Sequence, residues 1–225
     1  VDETNYPSDL KKIKDRPEVL YYRGNIDILN EHKSIAVVGS RKISAVGAKL
    51  AYNAGSIIGK NGFNLVNGLA LGCDAEALKG ALAAGGKCAV VLPCGINEIY
   101  PKSNQWIAEE VLKQGGCLIS EYPEGTRPEK YRFVQRDRLQ SGMSQGVLVV
   151  EAMEKSGTMH TAEYAKKQNR RLACYYHGLL KYSTGNNVLE NLYQAAVIKT
   201  NEDLENYLCE IADIEEYTQL SFDFV

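Results

Sequence analysis

From residue 34 onward the apolar positions fall in short unbroken runs rather than in strict alternation. Ile35, Ala36, Val37 and Val38 form the first, and further runs lie at 63–66, 88–92, 117–120, 146–151 and 171–175. A strand covered by helices on both faces has this pattern, because neither face meets water. Longer stretches with helical character lie between the runs. Residues 44–60 place Ala45, Ala48, Ala51 and Ala54 for close packing and stop at Asn61-Gly62, 103–114 close on Gly115-Gly116, and 158–168 lead into the last long run. Alternation repeated at least five times predicts an α/β fold: a doubly wound, mostly parallel sheet with helices on both faces. Right-handed crossovers then gather the Gly-rich strand ends on one edge.

Three stretches depart from this rhythm. Residues 1–30 contain Tyr6-Pro7, Pro17 and Gly24, with one helical turn around Leu10 and Ile13 and a short strand at 19–22, and they read as an adaptor packed on a core of residues 31–209. Such a segment is too short for a core of its own. Residues 121–139 hold two prolines and five basic side chains and predict a long irregular connection. Residues 186–208 offer two short helices around an edge strand at 195–198, and residues 210–225 read as an acidic tail.

Composition narrows the class. The chain has 225 residues, 44% apolar and 24% charged, as a soluble globular domain does. No apolar run reaches membrane-spanning length and the start is polar and acidic, so the expected location is the cytoplasm, with no membrane partner. A net charge of -2 gives no global attraction to nucleic acid, so any such binding needs a local basic patch. The six cysteines form no C-x-x-C pair and the three histidines lack ligand spacing, which predicts buried thiols in a reducing compartment and no metal.

The candidate chemistry is anion binding. The predicted strand edge gathers Gly39, Ser40, Arg41 and Lys42, then Asn67-Gly68, Cys94-Gly95, and Ser156, Gly157 and Thr158 at a helix start. Strand ends of this kind carry ligands in open α/β sheets, and first-turn amides favour phosphate. Ser40 is placed to cap the following helix. The alternative is that these hydroxyls only cap helices and the Arg-Lys pair is merely solvated. Neither G-x-G-x-x-G nor a P-loop is present, so no cofactor is expected. Arg127, Lys130, Arg132, Arg136 and Arg138 are interleaved with Tyr122, Tyr131 and Phe133. Cations that track a backbone and rings that stack bases suit single-stranded nucleic acid, against the alternative of a solvated charged loop. Asp74 and Glu76 read equally as helix-start acids, and no nucleophile pairs with a base. The reading is therefore a binding protein, not an enzyme.

The ordered series IAVVGSRK, NGLALGCDAEALKGAL, CGINEIYPKSN, RFVQRDRLQSGMSQGVLVVEAMEKSGTMHTAEYA and STGNNVLENLYQA, preceded by YPSDL and VLYYRGN, resembles the DprA/Smf family of DNA-processing proteins. The resemblance implies a Rossmann-like domain that binds single-stranded DNA, forms a homodimer and helps load a RecA-type recombinase in natural transformation and recombination, without cofactor or catalytic step. It places the G-S-R turn on Gly39 to Arg41, the basic F-x-x-R-N-R stretch on Phe133, Arg136, Asp137 and Arg138, and the S-G-[ST] turn on Ser156 to Thr158. Asp137 stands where the family usually has Asn, Leu78 where His is common, and Tyr175-Tyr176-His177-Gly178 where V-P-G is usual. Gln219 to Phe224 is similar to the peptide that docks on the bacterial sliding clamp. The competing reading is a nucleotide-binding or nucleotide-hydrolysing, phosphoribohydrolase-like protein of the same superfamily. That family's acid three residues after the threonine is here Thr161, with Glu163 two residues late.

Overall fold

The computed structural model describes residues 5–220. Three short elements come first: α1 (Ser8–Lys11), β1 (Tyr21–Gly24) and α2 (Ile28–Glu31). The alternation then runs β2 (Ser34–Val38), α3 (Ala45–Lys60), β3 (Asn64–Asn67), α4 (Cys73–Ala83), β4 (Cys88–Val91), α5 (Gln105–Lys113) and β5 (Cys117–Ser120). The second half consists of α6 (Lys130–Gly142), β6 (Gly146–Val149), α7 (Gly157–Lys167), β7 (Arg171–Tyr175), α8 (Thr184–Leu192), β8 (Ala196–Ile198) and α9 (Asn201–Leu220).

All eight strands join one sheet in the order β1-β5-β4-β3-β2-β6-β7-β8. Every pairing is parallel except β1 with β5, where Tyr21 to Gly24 run antiparallel to Ser120 to Cys117. From β2 the chain steps outward through β3, β4 and β5, then returns by α6 to place β6 on the other side of β2. The carboxyl ends of β2 and β6 therefore frame the crevice where the winding direction reverses, the usual ligand position of this architecture.

The unbroken apolar strands divide residue by residue between two cores. Ile35 and Val37 of β2 join Ala51, Ala54, Leu78, Ile107, Val111, Leu204 and Tyr207, so α3, α4, α5 and α9 cover one face. Ala36 and Val38 join Leu10, Leu29, Leu139, Met159, Ala162 and Leu189, which places α1, α2, α6, α7 and α8 on the other. Alternate side chains of a strand point to opposite faces, and both faces here are dry. No helix among the described residues is long and apolar enough to cross a membrane.

Two local expectations are corrected. Residues 130–139 of the expected irregular connection are helical, part of a helix that runs on to Gly142, so Lys130, Arg132, Arg136 and Arg138 belong to α6 and only Arg127 to the loop before it. The helix after β2 is capped by Ser44, whose Oγ accepts from the Gly47 amide at 3.0 Å, while Ser40 Oγ accepts from the Lys42 amide at 3.1 Å. The helix begins four residues later than a cap at Ser40 requires. Helix α9 runs across the expected start of the acidic tail, and the Ser221 to Phe224 part of the clamp-like peptide lies outside the described residues.

Candidate nucleic-acid interface

A cleft of about 630 Å³ opens at the β2/β6 crevice. Its first wall is the turn after β2, with Gly39, Ser40 and Arg41, and its second is the start of α7, with Ser156, Gly157 and Thr158. The third wall is α6, which contributes Lys130, Phe133, Val134, Arg136, Asp137 and Gln140, and Tyr100 closes one end. These are three chain segments far apart in sequence, brought together by the return crossover.

The β2 turn is held from beneath. Glu151, fully buried just past β6, accepts the Ser40 amide on its backbone carbonyl at 2.7 Å and the Ser44 amide on Oε2 at 2.7 Å, while Oε1 takes the Tyr182 amide at 3.0 Å. One residue therefore fixes both ends of the Ser40–Ser44 turn, the first through its carbonyl and the second through its carboxylate, which also ties the turn to the loop before α8. The Cys73 amide donates to the Ser40 carbonyl at 3.1 Å, and Gly72, at φ 74°, lets the β3–α4 loop approach that carbonyl. At the second wall the first two amides of α7, those of Gly157 and Thr158, have no acceptor among the described residues, the Met159 amide donates to the Ser156 carbonyl at 3.1 Å, and Ser156 Oγ donates to the Met153 carbonyl at 2.6 Å instead of capping. The Gly157 and Thr158 amides thus remain available to an anion at the positive end of the helix dipole.

Arg41 is exposed and lies 5.0 Å from the Phe133 ring centroid, and Tyr100 meets that ring edge-on at 5.5 Å. Arg136 behaves differently. It is 4% exposed, donates from Nη1 to the Val91 carbonyl at 2.9 Å, and lies against Gly68, where a Cβ would fall on the guanidinium. Its Nε lies 3.2 Å from Asp137 Oδ1. Burial raises the Asp137 carboxyl to about 7, with the nearby Asp74 charge pushing the same way and Arg136 and Arg41 pulling against it. Asp74 is buried as well and its carboxyl is raised by desolvation, although its Oδ2 accepts the Gly68 amide at 3.0 Å and the Ala70 amide at 3.2 Å. It organises the β3–α4 loop.

Of the residues singled out from sequence, Gly39, Ser40, Arg41, Lys130, Arg136, Ser156, Gly157 and Thr158 line the cleft, and Gly68 borders an adjoining recess with Tyr100 and Phe133. The others lie elsewhere. Asn67 is fully buried, donating to the Asp74 carbonyl at 2.9 Å and accepting the Leu69 amide at 3.1 Å, so it shapes the loop and offers nothing to a ligand. Lys42 is exposed and is not among the residues that line the cleft, and Gly95 pairs its amide with the Thr126 carbonyl. Arg132 donates to the Arg127 carbonyl and lies over Tyr122 and Tyr131 at 5.0 and 5.2 Å. Arg138 forms a two-pronged pair with Glu121, at 3.0 and 2.6 Å, on a face outside the cleft. Sequence reading missed Tyr100, Gln140 and Glu151. Helical spacing from Arg136 would have pointed to Gln140, four residues on.

Residues 1–208 match the family described as DNA recombination-mediator protein A. The chain is 38% identical over 172 residues to Protein Smf of Synechocystis and 36% identical over 172 residues to the DNA processing protein DprA of Bacillus subtilis. These matches cover 75% and 76% of the chain but 43% and 58% of the relatives, so the chain spans about half the length of the curated relatives it matches. It superposes with TM-score 0.83 and 30% identity on DNA processing protein A of Helicobacter pylori, a structure described for its mode of binding single-stranded DNA, over 91% of this chain and 93% of that one. With the Gly-Ser-Arg turn, the α6 wall and the Ser-Gly-Thr helix start in one crevice, the chain belongs to the DNA recombination-mediator protein A family.

Proposed function

We propose that this chain binds single-stranded DNA in the β2/β6 cleft and acts as a recombination mediator that hands the strand to a RecA-type recombinase, working as a homodimer. The observation that carries the reading is the convergence of exposed Arg41 and Lys130, the free amides of Gly157 and Thr158, and the Phe133 ring in one crevice. Cations and amides take successive phosphates, and a ring beside them stacks a base without reading its sequence. The recombinase and the homodimer follow from the family resemblance. The cleft carboxylates, Asp74 and Asp137, are both buried beside Arg136, and Glu163 does not line the cleft, so nothing favours the phosphoribohydrolase-like reading. The function proposed is one of binding, not catalysis.

Titration of a fluorescent oligo-dT across a salt series, with duplex of equal length as competitor, tests the reading. Salt-sensitive binding that duplex does not displace supports it, and a recombinase-loading assay on the same strand tests the mediator role. Absence of binding at low salt would falsify it.

A further inference from the structure

The Tyr100 end of the cleft leads onto exposed apolar side chains that the cleft itself does not use. Tyr100 is 44% exposed, Leu71 48% and Trp106 54%. Tryptophan ordinarily buries most of its ring, and this is the one tryptophan of the chain. Its place is fixed by its neighbour in sequence. Asn104, buried at the start of α5, donates from Nδ2 to the Leu69 carbonyl at 2.9 Å and to the Ala70 carbonyl at 3.2 Å, which clamps the first turn of α5 to the β3–α4 loop. Ala70 and Tyr100 line the cleft, Leu71 and Tyr100 line the recess that adjoins it, and Trp106 stands two residues beyond Asn104. On the carboxyl edge of the sheet, β3 and β4 lie one and two strand spacings from β2, about 5 and 10 Å. The exposed side chains therefore continue the line of the cleft on the side away from β6.

A cation accompanies the ring. Lys79 Nζ, from α4, lies 5.9 Å from the Trp106 ring centroid and 2.8 Å from Glu76, with a side chain still 35% exposed. The carboxylates of α5 nearest the ring are engaged on their own helix, Glu109 by Gln105 at 2.9 Å and Glu110 by Lys113 at 3.6 Å. A docked protein covers a broad apolar patch, whereas side chains strung along one sheet edge suit a chain that sets down one flat group at a time. An exposed ring accepts a stacked base of any identity, and an ammonium beside it holds a neighbouring phosphate. We infer that Trp106 and Lys79 form a stacking platform outside the cleft, over which a single strand leaves the Tyr100 end, with Leu71 bridging the two sites. The platform rests on the single-strand reading of the cleft.

The single tryptophan is its own probe. Two dodecamers are titrated at fixed low salt, one all-thymidine and one with abasic sugars everywhere outside a central thymidine trimer, with binding read by anisotropy of an end label and Trp106 by its own fluorescence. The thymidine strand should quench Trp106, and the abasic strand, which keeps the phosphates and lacks the outer bases, should bind and leave the fluorescence near that of the free protein. Trp106→Ala should weaken the thymidine dodecamer about tenfold and leave the abasic one within twofold, while Trp106→Phe keeps affinity for the thymidine strand within about threefold of the natural protein. If the alanine variant does not fold, the quenching comparison on the natural protein still decides. A thymidine dodecamer that binds without quenching Trp106, or that binds Trp106→Ala within twofold of the natural protein, overturns the platform and leaves the single-strand reading standing. Failure of both strands to bind overturns both.

Discussion

Arg136 and Arg138 stand two residues apart on α6, carry the same charge, and do different work. Arg136 turns under the sheet edge, where the Val91 carbonyl, Asp137 and the bare face of Gly68 enclose it. Arg138 turns away to Glu121 and to Asp15 near the amino terminus. A helix advances about 100° per residue, so a two-residue step carries a side chain to nearly the opposite face. Neither guanidinium is simply an open cation waiting for DNA: the first builds the wall of the cleft and the second closes the outside of the fold. The exposed charge that borders the cleft sits on Arg41 and Lys130.

The sharpest way to break this comparison is Arg136→Ala. It leaves Asp137 and Asp74 buried without their cation, and should cost about 3 kcal/mol of stability as well as strand binding, read as a lowered denaturant midpoint. An unchanged midpoint would remove its role as a wall. Arg41→Ala should leave the midpoint in place, weaken oligo-dT binding roughly tenfold, and reduce the salt slope by about one phosphate contact. Arg138→Ala should do the reverse, lowering stability by about 1 kcal/mol with oligo-dT affinity within twofold of the parent. A tenfold loss of affinity there would return Arg138 to the interface.

A subtler effect comes from Asp137, which faces Arg136 on its own helix, Arg41 from the β2 turn and Asp74 from α4. Its carboxyl titrates at about 7, well above its ordinary range, because burial disfavours the charged form. Between the ordinary carboxylate range and pH 7 the folded chain holds a proton that the unfolded chain has released. Asp137 therefore lowers stability as pH rises toward 7, and the loss is complete above it. Asp137→Asn should stabilise the protein at pH 8, by an amount that shrinks as pH falls through 7. Affinity of the natural protein for oligo-dT should rise about threefold from pH 8 to pH 6 as the cleft loses a negative charge, a change absent from the variant. Lys42→Ala should alter binding by less than about twofold, since Lys42 lies off the cleft lining.

The parts of the fold that sequence made legible are those where burial is apolar. The runs at β2, β5 and β7 coincide with strands, and the Gly-Ser-Arg turn and the Ser-Gly-Thr helix start lie at the crevice. Helix α6 stayed hidden for a physical reason. Its buried positions include Arg136, Asp137, Gln140 and Ser141, so the stripe it turns inward is polar and leaves no apolar period of 3.6 to detect. Pro123 and Pro128 just before it reinforced the impression of a loop. The cap was misplaced because Ser40 and Ser44 are both good capping residues, and only the Glu151 carboxylate, more than a hundred residues away, decides where the turn ends and the helix begins.

The contact between Asp9 and Arg170 bears on how the chain assembles. Arg170 donates to the Asp9 carboxylate at 3.2 Å and to the Asp9 carbonyl at 2.9 Å, and Gln145 donates to the same carboxylate. These contacts join residues 161 and 136 positions apart. As the chain leaves the ribosome, Leu10 and Ile13 wait in water until α6 has been made, and Asp9 lacks its partners until Gln145 and Arg170 have followed. Closing loops of that size before they yield any contact energy slows folding, so the segment around α1 is among the last parts of this fold to settle.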